Sequence, residues 1–90
     1  MNERRTLYFT GHVQGVGFRY TTQRIARNFE VVGYVQNLPD GRVCIVAEGS
    51  SAELAAFVSQ IQSTLSEYVS DVTMERTSAT REFDSFSIRR

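Results

Sequence analysis

Two kinds of hydrophobic periodicity alternate along this chain, and their order restricts the possible folds more than any other feature. Apolar residues first recur at every second position over Thr6–Val13, which predicts a strand. They then recur at helical spacing over Phe18–Phe29, which predicts an amphipathic helix. Two further strands are predicted over Val31–Leu38 and Val43–Glu48, because Pro, Asp and Gly between them favour a hairpin turn.

The second half of the chain repeats the helix-then-strand order. Ser50 and Glu53 form a capping-box pattern at the start of a second helix. The apolar stripe of that helix consists of Leu54, Phe57, Val58, Ile61 and Leu65. A fourth strand is predicted over Val72–Arg76, and a short closing strand around Phe86 and Ile88.

The resulting order is β-α-β-β-α-β with a short extra C-terminal strand. It predicts an α+β fold, a ferredoxin-like sandwich in which two helices pack on one face of an antiparallel sheet. The other face is expected to be open or wet. The length of 90 residues fits one domain, 1–90, and does not fit two independent cores.

The charge balance excludes several classes of function. Ten arginines, no lysine and ten acidic residues give a formal net charge of zero, whereas nucleic-acid and membrane-surface binders normally carry a basic excess. No stretch approaches the roughly 20 apolar residues of a membrane helix. Cys44 is the sole cysteine, so neither an intramolecular disulfide nor a zinc cluster is available. We therefore expect a cytoplasmic protein with no metal.

The junction between the first strand and the first helix, Gly11–Arg19, is rich in glycine. The first turn of a helix leaves backbone N–H groups unpartnered, and its dipole favours an anion. Glycines let such groups form a nest around a phosphate, while Arg19 can bind two phosphate oxygens. The spacing alone favours an ordinary glycine-rich turn with a solvated arginine over a phosphate site, because a single G-x-G pattern is weak.

Three other polar residues have a functional and a structural interpretation. Asn37 ends the second strand, where it can either position a water or simply start the turn. His12, the sole histidine, lies on the less apolar strand face, where a structural or surface role is favoured over general-base catalysis. Cys44 is interpreted as a half-buried, inert thiol, since no basic partner is near it in sequence.

Two longer motifs are more specific than either glycine pattern. They read G-x-V-Q-G-V-x-F-R over Gly11–Arg19 and G-Y-V-x-N-x-x-x-G-x-V over Gly33–Val43, followed by Gly49. In this order and separation they resemble the two signature stretches of the acylphosphatase family. The segment Phe83–Arg89 is similar to the closing strand of that family, so the resemblance covers nearly the whole chain.

The resemblance implies an enzyme that hydrolyses acyl phosphates to a carboxylate and inorganic phosphate without any cofactor. It implies two catalytic residues, Arg19 for the phosphate and Asn37 for the attacking water. The implied phosphate-binding residues are Gln14, Gly15, Val16, Gly17, Phe18 and Arg19. Many relatives have a hydroxyl residue where this chain has Leu38, which implies an altered rate. The other nine arginines are expected to be solvated.

The expected partner is a small acyl phosphate, and neither nucleic acid nor a membrane is expected to bind. We expect the chain to act as a monomer. Two competing hypotheses share the predicted fold. One is a non-catalytic ferredoxin-like module that binds a ligand or regulates a partner. The other is an RNA-recognition module, which is disfavoured because the third strand, Val43–Glu48, carries no stacking aromatic residue.

Overall fold

The computed structural model describes residues 2–90 as two helices on one five-stranded sheet. The strands are β1 (Asn2–Gly11), β2 (Val31–Asn37), β3 (Val43–Ser50), β4 (Val69–Ser78) and β5 (Phe86–Arg89). The helices are α1 (Phe18–Ala26) and α2 (Ser51–Leu65), and a 3-10 turn over Ser66–Tyr68 joins α2 to β4. Neither helix is both long and apolar enough to cross a membrane.

The strand order in the sheet is β4-β1-β3-β2-β5. All neighbours are antiparallel except β5, which runs parallel to β2 along the sheet edge. The α+β ferredoxin-like sandwich is confirmed, including the extra C-terminal strand. The parallel pairing of β5 is not apparent from periodicity, because the same four residues would alternate in either direction.

Two strands extend beyond their predicted ranges. β1 is Asn2–Gly11 rather than Thr6–Val13, and β4 is Val69–Ser78 rather than Val72–Arg76. The two strands pair antiparallel along almost their whole length. Their ends are rich in polar residues without apolar alternation, so backbone pairing continues where side-chain periodicity gives no signal.

The hydrophobic core lies between the helices and the sheet. Its largest fully buried side chains include Phe9 of β1, Phe18 of α1 and Phe57 of α2. All five residues of the predicted α2 stripe are buried, which confirms that prediction. The α1 stripe buries Thr22, Ile25 and Ala26 after Phe18.

Only one of the two hydrogen bonds of the predicted capping box forms at the start of α2. The Ser50 hydroxyl accepts a hydrogen bond from the Glu53 N–H at 3.2 Å, which satisfies one unpartnered amide of the first turn. The Glu53 carboxylate accepts instead from the Glu30 N–H at 2.7 Å, in the segment leading into β2. The predicted reciprocal bond is thus replaced by a tertiary contact between the helix start and the neighbouring strand.

The chain between β4 and β5 crosses the sheet face that the helices leave uncovered. β4 and β5 lie at opposite edges of the sheet, so the chain between them has to span the sheet. Glu48, on β3 and only 3% exposed, accepts hydrogen bonds from the Thr80 N–H at 2.8 Å and the Arg81 N–H at 2.9 Å. Phe83 then packs edge-on against Tyr34 of β2. The expectation of an open face is therefore wrong where this crossover, residues 79–85, lies.

The Glu48 carboxylate is held by charge as well as by amides. Arg4 on β1 donates from Nε to Glu48 at 2.8 Å and from Nη2 to Glu82 at 2.7 Å. Arg81 has φ of +62°, in the left-handed region, and its N–H and that of Thr80 both donate to this one carboxylate. Burial alone would raise the pKa of Glu48, but the Thr80 amide, the Arg4 guanidinium and the further donors lower it to about 2.

Two arginines expected to be solvated are structural instead. Arg4 binds the buried Glu48, and Arg5 is itself buried on the helix-facing side of β1. Arg5 donates from Nε to the Glu3 carboxylate at 2.9 Å, and its Nη2 reaches Ser51 at the start of α2. Their burial could not be read from the sequence, because the contacts of Arg4 with Glu48 and of Arg5 with Ser51 join segments that are far apart in the chain.

We expect the Glu48→Gln variant to be less stable than the native chain by about 3 kcal/mol near neutral pH, because the native pKa of Glu48 lies well below its unfolded value. Since the folded pKa is depressed, this stability is fully present above about pH 4.5 and is lost as the pH falls towards about 2. Urea denaturation of both proteins at several pH values measures the difference.

Glu82→Gln is the matched control, because Glu82 pairs with the same Arg4 but its side chain is 58% exposed. We expect it to change stability by less than about 1 kcal/mol at any pH. An equal loss in both variants, or a Glu48→Gln difference that does not shrink in acid, contradicts the assignment of Glu48 as the anchor of the crossover.

Candidate active site

The loop between β1 and α1 requires glycine for its backbone conformation. Gly15 has φ of +80° and Gly17 has φ of +78°, in the left-handed region that other residues rarely adopt. A Cβ atom at either position would meet no heavy atom within 4 Å. Handedness, rather than lack of space, therefore restricts these two positions to glycine.

The loop ends at the N-terminus of α1 with backbone donors still available. The bond from the Thr21 N–H to the Gly17 carbonyl, 2.9 Å long, closes the first helical turn. The N–H groups of Phe18, Arg19 and Tyr20 precede that bond, so they have no partner within the helix. No acidic residue lies in this first turn, which leaves the positive end of the helix dipole uncompensated.

A cleft of about 170 Å³ opens at this helix end. It is lined by Val13, Gly15, Gly17, Phe18, Arg19, Tyr20, Asn37, Ile88 and Arg90. Arg19 of α1 and Asn37 of β2 thus face one cavity although they are far apart in sequence. Five of the seven predicted site residues meet there: Gly15, Gly17, Phe18, Arg19 and Asn37.

Gln14 and Val16, the other two predicted site residues, are not among the lining residues. The Gln14 side chain points to the β2–β3 hairpin, where its Nε2 donates to the carbonyls of Leu38 at 2.8 Å and Arg42 at 3.0 Å. Val16 packs against the edge of the core. Gln14 therefore ties the glycine loop to the turn that follows Asn37.

Asn37 presents an acceptor with no protein partner. Its Oδ1 atom is buried, and no group within residues 2–90 donates a hydrogen bond to it. A buried carboxamide oxygen normally has a partner, commonly an ordered water. Asn37 is one of the residues that line the cleft, so its carboxamide group lies beside any molecule bound there.

His12 and Cys44, for which the sequence allowed either a functional or a structural role, lie outside the cleft. His12 is exposed, and Cys44 is buried on β3, where burial raises the pKa of its thiol. Neither of them lines the cleft. Within residues 2–90, no three histidine, cysteine or carboxylate side chains come close enough together to hold a metal ion.

Sequence reasoning missed Arg90 and Ile88 as lining residues. They come from β5 and the residue that follows it, and β5 reaches the cleft because it pairs with β2 in parallel. The register aligns Arg89 with Gln36, and the next residues along, Arg90 and Asn37, both line the cleft. No local pattern predicts this register, because it depends on the path of the crossover.

The model of one protein family, Acylphosphatase, matches residues 5–88. This chain belongs to the acylphosphatase family. An acylphosphatase of Lactobacillus gasseri is 41% identical over 85 residues, which are 92% of this chain and 93% of that protein. One of Actinobacillus pleuropneumoniae is 37% identical over 89 residues, covering 98% of this chain and 99% of that protein. One of Archaeoglobus fulgidus is 54% identical over 57 residues, covering 63% of this chain and 64% of that protein.

Solved structures of the acylphosphatase family share the fold. The crystal structure of acylphosphatase from Bacillus subtilis superposes with a TM-score of 0.85 at 34% identity and covers all of both chains. Full-length HypF in a phosphate- and nucleotide-bound form superposes with a TM-score of 0.86 at 25% identity, and this chain covers 12% of it. The prediction of an acylphosphatase, made from two sequence motifs, is confirmed.

We expect Gln14→Ala to destabilise the acylphosphatase fold by about 1–3 kcal/mol, because two carbonyl oxygens lose their donor. Gln14→Glu keeps the shape but cannot donate when ionised, so we expect a loss at least as large. Urea denaturation measures both, and hydrogen exchange of the amides of residues 15–19 reports whether the loop has loosened.

The matched control is Gln62→Ala on α2, where the side chain is exposed. Its effect should stay within about 0.5 kcal/mol. If Gln14→Glu is as stable as the native chain and its loop amides exchange no faster, the two hydrogen bonds do not hold the loop.

Proposed function

We propose that this chain hydrolyses acyl phosphates to a carboxylate and inorganic phosphate in the cleft at the start of α1. In this proposal the loop Gln14–Arg19 and the Arg19 side chain bind the phosphate, and Asn37 positions the attacking water. The observation that carries the proposal is the convergence of free helix amides, a guanidinium and an unpartnered carboxamide oxygen on one cavity.

The phosphate-binding part combines fixed dipoles with one charge. A glycine loop with left-handed residues leads directly into a helix N-terminus, which is a common arrangement for binding anions. Arg19 adds a planar guanidinium that can donate two parallel hydrogen bonds to phosphate oxygens. Because no acidic residue lines the cleft, its potential is positive although the whole chain is neutral.

Asn37 is proposed to hold the nucleophile. Its free Oδ1 can accept a hydrogen bond from a water, which fixes the direction of a water lone pair towards phosphorus. The water oxygen forms a bond to phosphorus while the bond from phosphorus to the acyl oxygen breaks. The carboxylate leaves with that electron pair, and a phosphate oxygen of the substrate takes the water proton.

This chemistry accounts for a site without a histidine or carboxylate base. A carboxylate is a good leaving group, so the departing oxygen needs no general acid. Phosphoryl transfer then depends mainly on positioning and on stabilising the negative charge of the transition state. Amides, Arg19 and Asn37 supply both functions.

The competing candidate is a ligand-binding module with the same fold. Its cleft would bind inorganic phosphate but would not turn over any acyl phosphate. The free acceptor on Asn37 favours the hydrolase, because a site that only binds an anion requires donors, and a buried acceptor there repels one.

We expect purified native protein to hydrolyse benzoyl phosphate in the presence of a chelator. Arg19→Ala and Asn37→Ala should each lower kcat at least about 100-fold, as loss of one key stabilising group does in other enzymes. The release of inorganic phosphate measures the rate, and circular dichroism checks that each variant is folded.

Arg27→Ala is the matched control for Arg19→Ala. Arg27 is exposed near the other end of α1 and does not line the cleft, so its variant should retain activity within about twofold. A folded Arg19→Ala variant with nearly full activity would falsify the role of Arg19. Phosphate binding without turnover of benzoyl phosphate by the native chain would support the competing candidate.

We further propose that the enzyme is a cytoplasmic monomer. The buried thiol of Cys44 suits a reducing compartment. The free edge of β4 carries Asp71, Glu75 and Arg76, all exposed, and charges on an edge strand oppose pairing with another chain.

Light scattering after gel filtration should give a mass close to 10.2 kDa. Replacing a charge on the β4 edge, in Glu75→Val, should increase self-association more than Glu67→Val does in the exposed turn before β4. A native mass of two chains contradicts the proposal of a monomer.

A further inference from the structure

Arg90 brings a second guanidinium to the cleft from the sheet side, whereas Arg19 enters from the helix side. Phe86 and Ile88 of β5 face the core, and Arg89 packs on the opposite face with its guanidinium 3.7 Å from the centre of the Tyr34 ring. Arg90 follows this alternation and lies on the same face as Ile88. The parallel register ends with Arg89 opposite Gln36, and Arg90 and Asn37 are the residues that follow this last pair.

The charges of Arg19 and Arg90 are not neutralised by ion pairs within residues 2–90. Other arginines of the chain do have such partners: Arg4 pairs with Glu48, Arg5 with Glu3 and Arg42 with Asp40. Neither Arg19 nor Arg90 takes part in any of the ion pairs found in that range. Among residues 2–90, the cleft is thus lined by two arginines and by no aspartate or glutamate.

We propose that Arg90 is a second phosphate-binding arginine, which contacts the same phosphoryl group as Arg19. This inference rests on the proposed function of the cleft and adds a residue to it. A volume of about 170 Å³ is below the roughly 300–1,000 Å³ of pockets for drug-sized ligands, so one small anion occupies the space between both guanidiniums. A phosphoryl group near neutral pH carries close to two negative charges and offers enough oxygen atoms for two arginines.

The position of Arg90 determines which step it affects. Arg19 is half-buried in the first turn of α1, whereas Arg90 is exposed to solvent. Water around Arg90 weakens its contacts to phosphate oxygens, which exist in the substrate, in the transition state and in the inorganic phosphate product. Arg90 should therefore act mainly on binding, which changes KM and the affinity for phosphate more than kcat.

The test is a calorimetric titration, in which inorganic phosphate is added to the native protein and to each variant and the heat of binding is measured. We expect Arg90→Gln to weaken phosphate binding about tenfold and to raise KM for benzoyl phosphate by a similar factor. Arg90→Lys keeps the charge but loses the planar fork, so its loss should be smaller. Arg90 is exposed, and these substitutions leave the core untouched.

Arg89→Gln is the matched control, because it removes the same charge from the adjacent residue on the outer face. We expect it to change the Kd for phosphate less than twofold at about 0.15 M salt. Equal weakening in Arg89→Gln and Arg90→Gln overturns the inference, since general electrostatics would then explain both. Unchanged binding in Arg90→Gln, or no phosphate binding by the native protein, also overturns it.

The same titration separates this inference from the proposed function. If the native chain binds phosphate with the expected dependence on Arg90 but does not hydrolyse benzoyl phosphate, the hydrolase proposal fails and the second binding arginine stands. If the native chain hydrolyses benzoyl phosphate and Arg90→Gln binds phosphate normally, only the inference about Arg90 fails.

Discussion

The buried carboxylate of Glu48 holds in place the chain segment on which the site depends. It gathers two amides of the crossover and the guanidinium of Arg4 on the outer face of the sheet. The crossover in turn delivers β5 to the edge beside β2, on the side opposite β4. Ile88 and Arg90 then reach the cleft at the start of α1. The Glu48 contacts lie on the outer face of the sheet, yet they hold the segment that completes the cleft on the helix side.

The site separates two tasks that are often shared by one side chain. In the proposed mechanism, backbone amides and guanidiniums provide the positive potential, while the carboxamide of Asn37 provides a neutral acceptor. A carboxylate in place of Asn37 would also accept from water, but its charge would oppose the phosphate. This distinction explains how a chain with no net charge contains a strongly cationic cleft, and why the overall charge balance gives no indication of it.

Local patterns were sufficient to predict the order of the elements and much of the site. Local spacing is enough to identify the α2 stripe and the Ser50 cap. The two signature motifs are also contiguous in sequence, but they were identified by their resemblance to the acylphosphatase family. Gln14 shows the limit of such reasoning: the motif marks it, but its side chain binds the β2–β3 hairpin rather than the cleft. Arg90 and the Glu48 anchor were not predictable, because each depends on a pairing between distant segments that leaves no periodic signal.

The glycine loop has a consequence for the chirality of its residues. At Gly17, φ of +78° and ψ of +20° are the mirror image of an ordinary helical residue, and the space around the missing Cβ is open. For a D-alanine introduced there by chemical synthesis this is the ordinary helical backbone conformation, whereas L-alanine would have to occupy a region that costs about 1 kcal/mol or more. The D residue would also reduce the freedom of the unfolded chain. The loop therefore discriminates between the two mirror-image forms of one side chain and not between side chains of different size.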